Sequence, residues 1–447
     1  MSSPAANLQR DTLIVGLGET GLSVARYLAA RGEAFAVTDT RERPAGLERL
    51  AAIPGGGDAW AGPLEALDPA RWPRLIVSPG VPVALPALRR AAVQGSEILG
   101  DIELFARVVA APVIGITGSN GKSTVTALVG ALLEAAGHRV AIGGNFGTPA
   151  LDLLAQSAEL YVLELSSFQL ETTCSLRPAA AAILNISADH LDRYPDLARY
   201  AAAKARILQD AGLVVLNRQD PVVMGLAAGR DAVTFGLDAP PRARDFGVLE
   251  AGGETWLARG GIPLLPTSRL ILRGGHNWLN ALAGLALVWS WLDEPAPALS
   301  ALATFSGLAH RAQPVGRRRG VDFIDDSKGT NVGATLAAIH GVAGPLILIA
   351  GGQGKGQDFA PLAEALVGKA RGVVLLGVDA PAIARALHGA VPVRMAVGMD
   401  EAVAAAADWA QPGDTVLLSP ACASLDMFAN YAERGARFAA AVRGLEP

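Results

Sequence analysis

The chain has 447 residues, 51% of them hydrophobic, and a formal net charge of −4. At about 150 residues per domain, this length predicts three domains. The acidic balance provides no basic surface for nucleic acid, and the longest apolar helical stretch, 282–292, is shorter than the ~20 residues that cross a bilayer. The N-terminus lacks a secretion-signal pattern, and two cysteines form no disulfide framework. We therefore expect a globular cytoplasmic protein that neither binds nucleic acid nor inserts into a membrane. We also expect it to be a monomer.

The first block, residues 1–99, alternates strands with helices. We predict strands at 12–16, at 34–38 and from 74 into a turn that ends at 80, with a helix through Arg31. This alternation is typical of a parallel sheet covered by helices. Gly16, Gly18 and Gly21 have the spacing of a dinucleotide-binding loop, and Asp39 follows 21 positions after Gly18. Because a helix N-terminus can bind any anionic nucleotide, the motif leaves a nicotinamide cofactor and another nucleotide-linked ligand both open.

The second block, residues 100–307, opens with a phosphate-binding signature. An apolar strand over 111–117 precedes a glycine-rich turn, and a helix follows over 125–134. In such a turn, backbone N–H groups face a polyphosphate, a lysine adds a positive charge, and a hydroxyl can bind magnesium. The residues of the turn are Gly118, Ser119, Asn120, Gly121, Lys122, Ser123 and Thr124. They predict that the second block binds ATP. In a chain that binds ATP, a second nucleotide-linked ligand is favoured over a hydride carrier in the first block.

Three polar residues of the second block are further candidates for chemistry. We predict strands at 160–164 and 181–185 and a closing helix at 277–292. Glu164 ends one strand beside the phosphate loop, where a magnesium ligand is needed, and His190 lies in a polar loop past the other. The residues alone leave a capping role for Glu164 and a structural role for His190 open. Lys204 lies in an alanine-rich helical segment whose neighbours predict a solvated surface lysine.

The third block, residues 308–447, has predicted strands at 321–325, 346–350, 372–376 and 415–419. Each ends in glycine, aspartate or Ser-Pro, at the edge where open α/β sheets bind their ligands. Arg317, Arg318 and Arg319 lie between two glycines, which predicts an exposed hairpin turn rather than a binding patch. The predicted fold class is α/β throughout.

Longer motifs resemble those of the Mur ligases. The similar segments are 118–124, Gly143-Gly-Asn-Phe-Gly147, Leu163-Glu-Leu-Ser-Ser-Phe-Gln-Leu-Glu171, Asp189-His-Leu-Asp-Arg-Tyr194 and His276-Asn-x-x-Asn-Ala-Leu282. Three further segments narrow the resemblance to family members that add glutamate. They are Gly307-Leu-Ala-His-Arg311, Asp326-Ser-Lys-Gly-Thr-Asn331 and Leu418-Ser-Pro-Ala-Cys-Ala-Ser-Leu-Asp426. It covers about 13 to 438 and implies an N-terminal Rossmann-like UDP-substrate domain (1–99), a central P-loop ATPase-type domain with a parallel sheet (100–307) and a C-terminal Rossmann-like glutamate domain (308–447).

The resemblance also implies a reaction and its cofactors. Glutamate, expected to be D-glutamate, is joined to UDP-N-acetylmuramoyl-L-alanine in peptidoglycan precursor synthesis, with ATP driving the step through an acyl phosphate. Two magnesium ions are implied, with Ser123 and Glu164 on one, His190 on the other, and a carbamylated Lys204 bridging them. Lys122 would neutralise phosphate charge. The implied nucleotide residues beyond the phosphate loop are Asn277, Asn280, Arg311 and Asp326.

Two sets of substrate residues follow from the same resemblance. The UDP-substrate is matched by Gly18, Thr20, Asp39, Thr40, Arg41 and Ser78, with Asn145 and His190 near its reacting end. Glutamate is matched by Lys328, Thr330, Lys355, Ser424, Leu425 and Tyr431. Lysines and hydroxyls of this kind suit a dicarboxylate. Two positions depart from the family pattern, because Glu19 places a carboxylate near the expected diphosphate and Ala188 replaces an acidic residue beside His190.

Three other functions stay open from the residues. One is another ligase of the same family, such as folylpolyglutamate synthase, and a second is an NAD-dependent oxidoreductase. The third is a non-catalytic nucleotide-binding regulator, against which the joint presence of Lys122, Glu164, His190 and Lys204 argues. The expected glutamate donors do not by themselves choose between the two enantiomers.

Overall fold

In the part of the chain that the structure describes, three β-sheets follow one another. The computed structural model describes residues 11–55, 59–227, 229–272 and 274–445. The sheets fall within the three sequence blocks in order, while the domain limits themselves stay a prediction. Among the described residues, no helix combines the length and the apolar character that crossing a bilayer requires.

The first sheet is parallel. Its unit contains β1 (Thr12–Val15), α1 (Glu19–Ala30), β2 (Phe35–Asp39), α2 (Leu47–Ala51), β3 (Ala59–Ala61), β4 (Arg74–Val77), α3 (Pro86–Val93) and β5 (Glu97–Leu99). The next helix, α4 (Asp101–Ala106), packs against helices of the second unit. The strand order is β3-β2-β1-β4-β5, and the central β1 is fully buried. Gly16 follows β1 with a φ of 100°, and a Cβ there would lie 2.8 Å from the Cβ of Ser78. Glycine therefore lets the loops after β1 and β4 meet at one sheet edge.

The second sheet carries the phosphate loop. Its unit contains β6 (Val113–Thr117), α5 (Lys122–Ala135), β7 (Val140–Gly144), α6 (Ala150–Leu153), β8 (Leu160–Glu164), α7 (Ser167–Glu171), β9 (Ala180–Ile183), α8 (Leu197–Ala205), β10 (Leu213–Asn217), α9 (Pro221–Gly225), β11 (Ala232–Phe235), β12 (Phe246–Ala251), β13 (Glu254–Arg259), β14 (Ile262–Pro266), α10 (Gly275–Val288) and α11 (Pro295–Thr304). The order is β14-β13-β12-β11-β10-β9-β6-β8-β7. α5 packs against α10 and α11 through buried residues such as Leu128, Leu132 and Leu285.

Two features of the second unit differ from the sequence expectation. The sheet is parallel from β7 to β12, but β13 and β14 join it as antiparallel strands. Gly252 and Gly253 form the first of these turns with φ values of 61° and 80°, which a tight hairpin turn requires. The helix predicted over 277–292 ends at Val288, because the chain tightens into a short 3₁₀ turn and is extended by Leu292, ahead of Pro295.

The third sheet has six strands and lies in the last part of the described chain. Its unit contains β15 (Gln313–Arg318), β16 (Val321–Asp325), α12 (Val332–Gly341), β17 (Leu346–Gly351), α13 (Ala360–Leu366), β18 (Ala370–Leu376), α14 (Ala380–Ala386), β19 (Val393–Met395), α15 (Met399–Trp409), β20 (Thr415–Leu418) and α16 (Tyr431–Gly444). The order is β15-β16-β20-β17-β18-β19, parallel except for β15 against β16. The predicted hairpin is present, but Arg317 and Arg318 belong to β15, and only Arg319 and Gly320 form the turn.

Candidate active site

The phosphate loop joins β6 to α5 at the carboxyl edge of the second sheet. Gly118 and Gly121 have φ values of 152° and 83°, and a Cβ on Gly121 would lie 2.6 Å from Asn280 Oδ1. Only glycine fits this approach, which packs the loop against α10. α5 begins at Lys122, directly after the loop, so its N-terminus faces the same space. The loop therefore has the form of an anion cradle.

Hydrogen bonds hold the loop in shape. The Ser119 N–H donates to the Asn185 carbonyl oxygen at 2.8 Å, and the Asn120 N–H donates to Asn185 Oδ1 at 2.8 Å. Lys122 Nζ donates to the carbonyl oxygens of Gly118 and Ser119 at 2.9 and 2.8 Å. Burial lowers the pKa of Lys122 from its ordinary value. Lys122 is thus held in place by the same loop in which it is expected to neutralise phosphate charge.

A cavity of about 340 Å³ lies between the phosphate loop, α10 and the third sheet. The predicted nucleotide residues in its lining are Asn120, Gly121, Thr124, Asn277, Asn280, Arg311 and Asp326. Its apolar lining includes Phe235, Leu272, Leu279, Leu308 and Ala337. Polar and cationic groups beside a phosphate loop, together with an apolar wall, suit a nucleoside polyphosphate.

Two residues of the third unit close this cavity. Arg311 Nη2 donates to Ser123 Oγ at 2.7 Å, which joins the third unit to the phosphate loop. Asp326 Oδ2 accepts a hydrogen bond from Ser419 Oγ at 2.7 Å. Burial raises the pKa of the Asp326 carboxyl to about 7, against the effect of that hydrogen bond. Residues far apart in sequence therefore share one cavity.

Glu164 ends β8 with a buried carboxylate beside the loop. Its Oε1 accepts from Asn145 Nδ2 at 2.8 Å, while its buried Oε2 has no hydrogen-bond partner. Burial opposes ionisation, but the charge of Lys122, the nearby Ser123 hydroxyl and the Asn145 amide hold the pKa of Glu164 below its ordinary value. A buried, unpaired carboxylate oxygen is costly and is an available ligand for a cation.

His190 lies in the loop after β9 in a left-handed conformation, with a φ of 55°. Its ring packs edge-on against Phe168, with centroids 4.8 Å apart, and lies near Tyr200. Burial lowers the pKa of His190 to about 4, against the charge of Asp189. The imidazole is therefore neutral at physiological pH, the form that binds a metal. Strained backbone of this kind is common at functional sites.

Lys204 is only 2% exposed, so the solvated lysine predicted from its neighbours is wrong. Its helix, α8, turns the side chain inward, and Nζ lies 3.4 Å from Thr117 Oγ1 and 4.7 Å from the centre of the Tyr200 ring. Burial and the charge of Lys122 lower the pKa of Lys204 well below its ordinary value. Burial therefore favours the neutral form of this amine over the charged form.

The donor set limits which metal fits. Within the described ranges, no group of three or more His, Cys, Asp or Glu side chains is placed to hold a metal ion. Magnesium commonly takes one or two carboxylates together with substrate phosphates and water. The unpaired Oε2 of Glu164 and the nearby phosphate loop fit this pattern. The residues are therefore suited to magnesium that binds together with a nucleotide.

The residues predicted for the UDP-substrate lie around the carboxyl edge of the first sheet. Ser78 Oγ donates to the Gly16 carbonyl oxygen at 3.1 Å. Asp39 accepts from the Leu17 N–H at 2.7 Å and from both Nε and Nη2 of Arg41, at 2.8 and 2.7 Å. Asp39 therefore orients Arg41 and the loop after β1. Its carboxylate is engaged by these protein groups. Gly18 and Thr20 start α1, and Thr40 is exposed beside them.

Glu19, the departure from the family pattern, has a partner. Its carboxylate forms two hydrogen bonds with the guanidinium of Arg49 on α2. This contact lowers the pKa of Glu19, so the carboxylate is charged and paired. The negative charge at the start of α1 is balanced within the fold.

The residues predicted for glutamate lie after β16, β17 and β20. Lys328 Nζ lies 4.0 Å from the centre of the Tyr431 ring, and burial lowers the pKa of Lys328 to about 8. Lys355, in a left-handed conformation, reaches across to Asp189 of the second unit, with Nζ 3.3 Å from Oδ1. Ser424 is buried, whereas Leu425 is 68% exposed. Lys328 thus contacts Tyr431, whereas Leu425 faces outward. Thr330 lies two residues after Lys328 in the same loop.

Family models match the chain in three consecutive segments. The Mur ligase MurD-like N-terminal domain matches residues 10–100, the Mur ligase middle domain matches 116–288, and the Mur ligase glutamate ligase domain matches 310–422. The chain belongs to the Mur ligase family. The prediction of a ligase with an α/β fold is therefore confirmed, and the oxidoreductase interpretation of the first glycine-rich loop is wrong.

Individual Mur ligases are similar over nearly the whole length. A Pseudomonas putida protein named UDP-N-acetylmuramoylalanine--D-glutamate ligase is 53% identical over 438 residues, which is 97% of each chain. The structure of UDP-N-acetylmuramate-alanine ligase MurC from Thermotoga maritima has a TM-score of 0.63 at 21% identity, covering 97% of this chain and 99% of that one. MurF ligase from Thermotoga maritima in complex with ADP has a TM-score of 0.60 at 17% identity, covering 97% and 95%.

Two polar residues of this Mur ligase were not assigned a role from sequence. Arg434 on α16 is 2% exposed, and Asn331 at the start of α12 is 3% exposed. A signal for Arg434 is its spacing of four from Phe438, which places a charge on the buried face of a helix. A signal for Asn331 is its place as an N-cap residue before an apolar helix.

Proposed function

We propose that this chain joins D-glutamate to UDP-N-acetylmuramoyl-L-alanine in peptidoglycan precursor synthesis, with ATP driving the reaction through an acyl phosphate. The observation that carries the proposal is one cavity shared by a phosphate loop and the lysine-bearing edge of the third sheet. The contact of Arg311 with Ser123 at 2.7 Å joins these two parts. The Pseudomonas putida relative, 53% identical, supports the choice of substrates by its name, and the ADP complex of the related MurF supports ATP.

In the first step, the alanine carboxylate of the UDP-substrate attacks the γ-phosphorus of ATP. A carboxyl–phosphate bond forms as the bond to ADP breaks. Both reactants are anions, so the protein must hold them together and screen their charge. Lys122 in the loop and Arg311 from the third unit are the cations placed beside that space. Asn145, whose amide contacts Glu164, is expected near the reacting carboxylate.

In the second step, the amine of glutamate attacks the carbonyl carbon of the acyl phosphate and phosphate leaves. The amine must be deprotonated before it attacks. Lys328 and Lys355, with Thr330 and Ser424, are proposed to bind the two carboxylates of glutamate and so aim the amine. Charge-assisted hydrogen bonds at both ends would select a dicarboxylic amino acid over an apolar one. Tyr431 packs against Lys328 and limits its movement, and Leu425 would have to turn inward to contact glutamate.

Magnesium, when bound, would neutralise the charge of the triphosphate. We propose that Ser123 and Glu164 hold one ion, and that His190 and a carbamylated Lys204 serve a second. The unpaired Oε2 of Glu164 and the neutral imidazole of His190 support this assignment. The burial of the Lys204 amine, which lowers its pKa well below the ordinary value, supports carbamylation, because a neutral amine reacts with carbon dioxide and the product is an anion with two oxygens.

The uridine end is proposed to bind at the carboxyl edge of the first sheet. Gly18 and Thr20 offer the N-terminus of α1 to the diphosphate, and Thr40, Arg41 and Ser78 surround it. Asp39 contributes by orienting Arg41 at 2.7 to 2.8 Å. We also propose that the enzyme works as a monomer in the cytoplasm, with domains at 1–99, 100–307 and 308–447.

The test is phosphate release from ATP in the presence of UDP-N-acetylmuramoyl-L-alanine and a panel of amino acids. We expect turnover with D-glutamate, much less with L-glutamate, and none when Lys122 is replaced by alanine. Turnover with another amino acid, or with a folate substrate, would assign the chain to a different branch of the family. No phosphate release with any pair of substrates would overturn the proposal.

A further inference from the structure

Asn331 makes two kinds of contact from one buried side chain. It is the N-cap residue of α12, and its Oδ1 accepts a hydrogen bond from the Ala334 N–H at 2.8 Å. Its Nδ2 points the other way, into the second unit. There it donates to Asn120 Oδ1 at 3.0 Å and to Asp189 Oδ2 at 3.1 Å. The side chain therefore spans the boundary between the third and second units.

The chemistry of these partners fixes the orientation of the amide. The Ala334 N–H can only donate, so it requires the oxygen of Asn331. The carboxylate of Asp189 can only accept, so it requires the nitrogen. A flipped amide would break both contacts at once and would set an oxygen against a carboxylate. Asparagine is thus the residue that caps the helix and donates across the boundary with the same group.

Both acceptors belong to parts of the site with separate tasks. Asn120 lies in the phosphate loop and lines the nucleotide cavity. Asp189 precedes His190, and its other oxygen, Oδ1, lies 3.3 Å from Nζ of Lys355. Asn331 also follows Thr330 directly and lies three residues after Lys328. One amide therefore contacts the nucleotide loop and the carboxylate that pairs with Lys355, and its residue directly follows the loop expected to hold glutamate.

We propose that Asn331 is a positioning residue that docks the glutamate-binding unit onto the nucleotide loop and thereby couples the two sites. This inference rests on the proposed function for what the docked unit binds. Asn331 holds Asp189 by one oxygen, which leaves the other oxygen directed at Lys355. A nucleotide that orders the phosphate loop also orders Asn120, and through it Asn331 and the segment with Lys328 and Thr330. Glutamate then meets a site that is already assembled.

The test uses Asn331→Ser, which keeps a helix cap but is too short to donate across the boundary. The matched control is Asn430→Ser. Asn430 caps α16 of the same unit at the surface, where its side chain accepts from the Glu433 N–H at 2.9 Å. We expect Asn331→Ser to raise the KM for D-glutamate by roughly tenfold or more, because a charge-assisted and a neutral hydrogen bond are lost. The KM for the UDP-substrate should stay unchanged, and Asn430→Ser should leave both values unchanged.

A second readout follows docking without catalysis. Fluorophores on cysteines at the exposed positions Glu250 and Val397, in a Cys174→Ser background, report the distance between the second and third units. We expect a non-hydrolysable ATP analogue to increase the short-distance population in the parent and in Asn430→Ser, but not in Asn331→Ser.

The outcomes separate this inference from the proposed function. If Asn331→Ser lowers only the melting temperature, with an unchanged KM for glutamate and unchanged docking, Asn331 is a helix cap alone and the inference is overturned. If the parent enzyme docks with nucleotide and Asn331→Ser does not, while no amino acid supports turnover, the inference stands and the proposed function fails.

Discussion

Replacing Arg434 by methionine should loosen the edge of the third sheet at which we propose that glutamate binds. Arg434 donates to Ser327 Oγ at 3.0 Å, to the Ser327 carbonyl oxygen at 2.8 Å and twice to the Cys422 carbonyl oxygen at 3.1 Å. Burial lowers the pKa of Arg434 to about 10, which leaves it charged at neutral pH. Methionine fills much of the volume but leaves these acceptors without a donor, at about 1–3 kcal/mol each. Relief of the buried charge offsets part of this loss, so we expect a net cost of about 2–5 kcal/mol.

Hydrogen exchange of the native protein is the appropriate assay, because unfolding of a chain with several domains is not a single two-state transition. Protection should fall in the segments 327–330 and 420–424, and the KM for glutamate should rise with it. The matched control is Arg437→Met on the same helix, whose side chain is 68% exposed and lies 3.7 Å from Glu433. Unchanged protection and an unchanged KM in Arg434→Met, or equal effects in both variants, would refute the reasoning.

Three further changes have expected outcomes. Lys204→Ala should lose most activity and regain part of it when acetate is added. In the parent enzyme, carbon-13 bicarbonate should give a carbamate NMR signal. Full activity in the variant, or the absence of this signal in the parent, would contradict carbamylation. Arg49→Ala should raise the Kd for the UDP-substrate at low salt by leaving Glu19 unpaired, and adding Glu19→Gln should restore it. Calorimetric titration would give an equal Kd in all three proteins if the pair has no role. Because burial lowers the pKa of Lys328 to about 8, its positive charge is lost above that pH. The KM for glutamate, measured in steady-state assays, should therefore rise above about pH 8. A KM that stays constant from about pH 7 to 9 would argue against a charged contact.

Local chemistry explains which parts of the site were predictable. The strand over 160–164 was predicted with its observed bounds, and Glu164 was placed at its end, because a short apolar run with a terminal carboxylate carries its own signal. The phosphate loop was predictable for the same reason, since its glycines and lysine act within seven neighbouring positions. Both depend on contacts close in sequence.

The features that sequence missed depend on distant contacts. The burial of Lys204 comes from the packing of α8 against α7, which brings Nζ to Thr117 at the end of β6, and nothing in its alanine-rich neighbourhood indicates this. The contacts of Arg434 with Ser327 and of Asn331 with Asn120 join segments about 100 to 200 residues apart, so no local pattern reveals these partners. The β12–β13 hairpin is different, because the Gly252-Gly253 pair between β-like runs was an available signal that the parallel-sheet interpretation overlooked.

The antiparallel extension of the second sheet determines how the sheet ends. β14 is an edge strand, and an exposed edge can pair with another chain and start aggregation. β14 carries Pro263 and Pro266, which have no backbone N–H to donate. A bulge between Leu257 and Ala258 further disturbs the regular register beside it. The largest sheet of the molecule therefore ends in a strand that is a poor template for another chain, which protects the folded enzyme from self-association at high concentration.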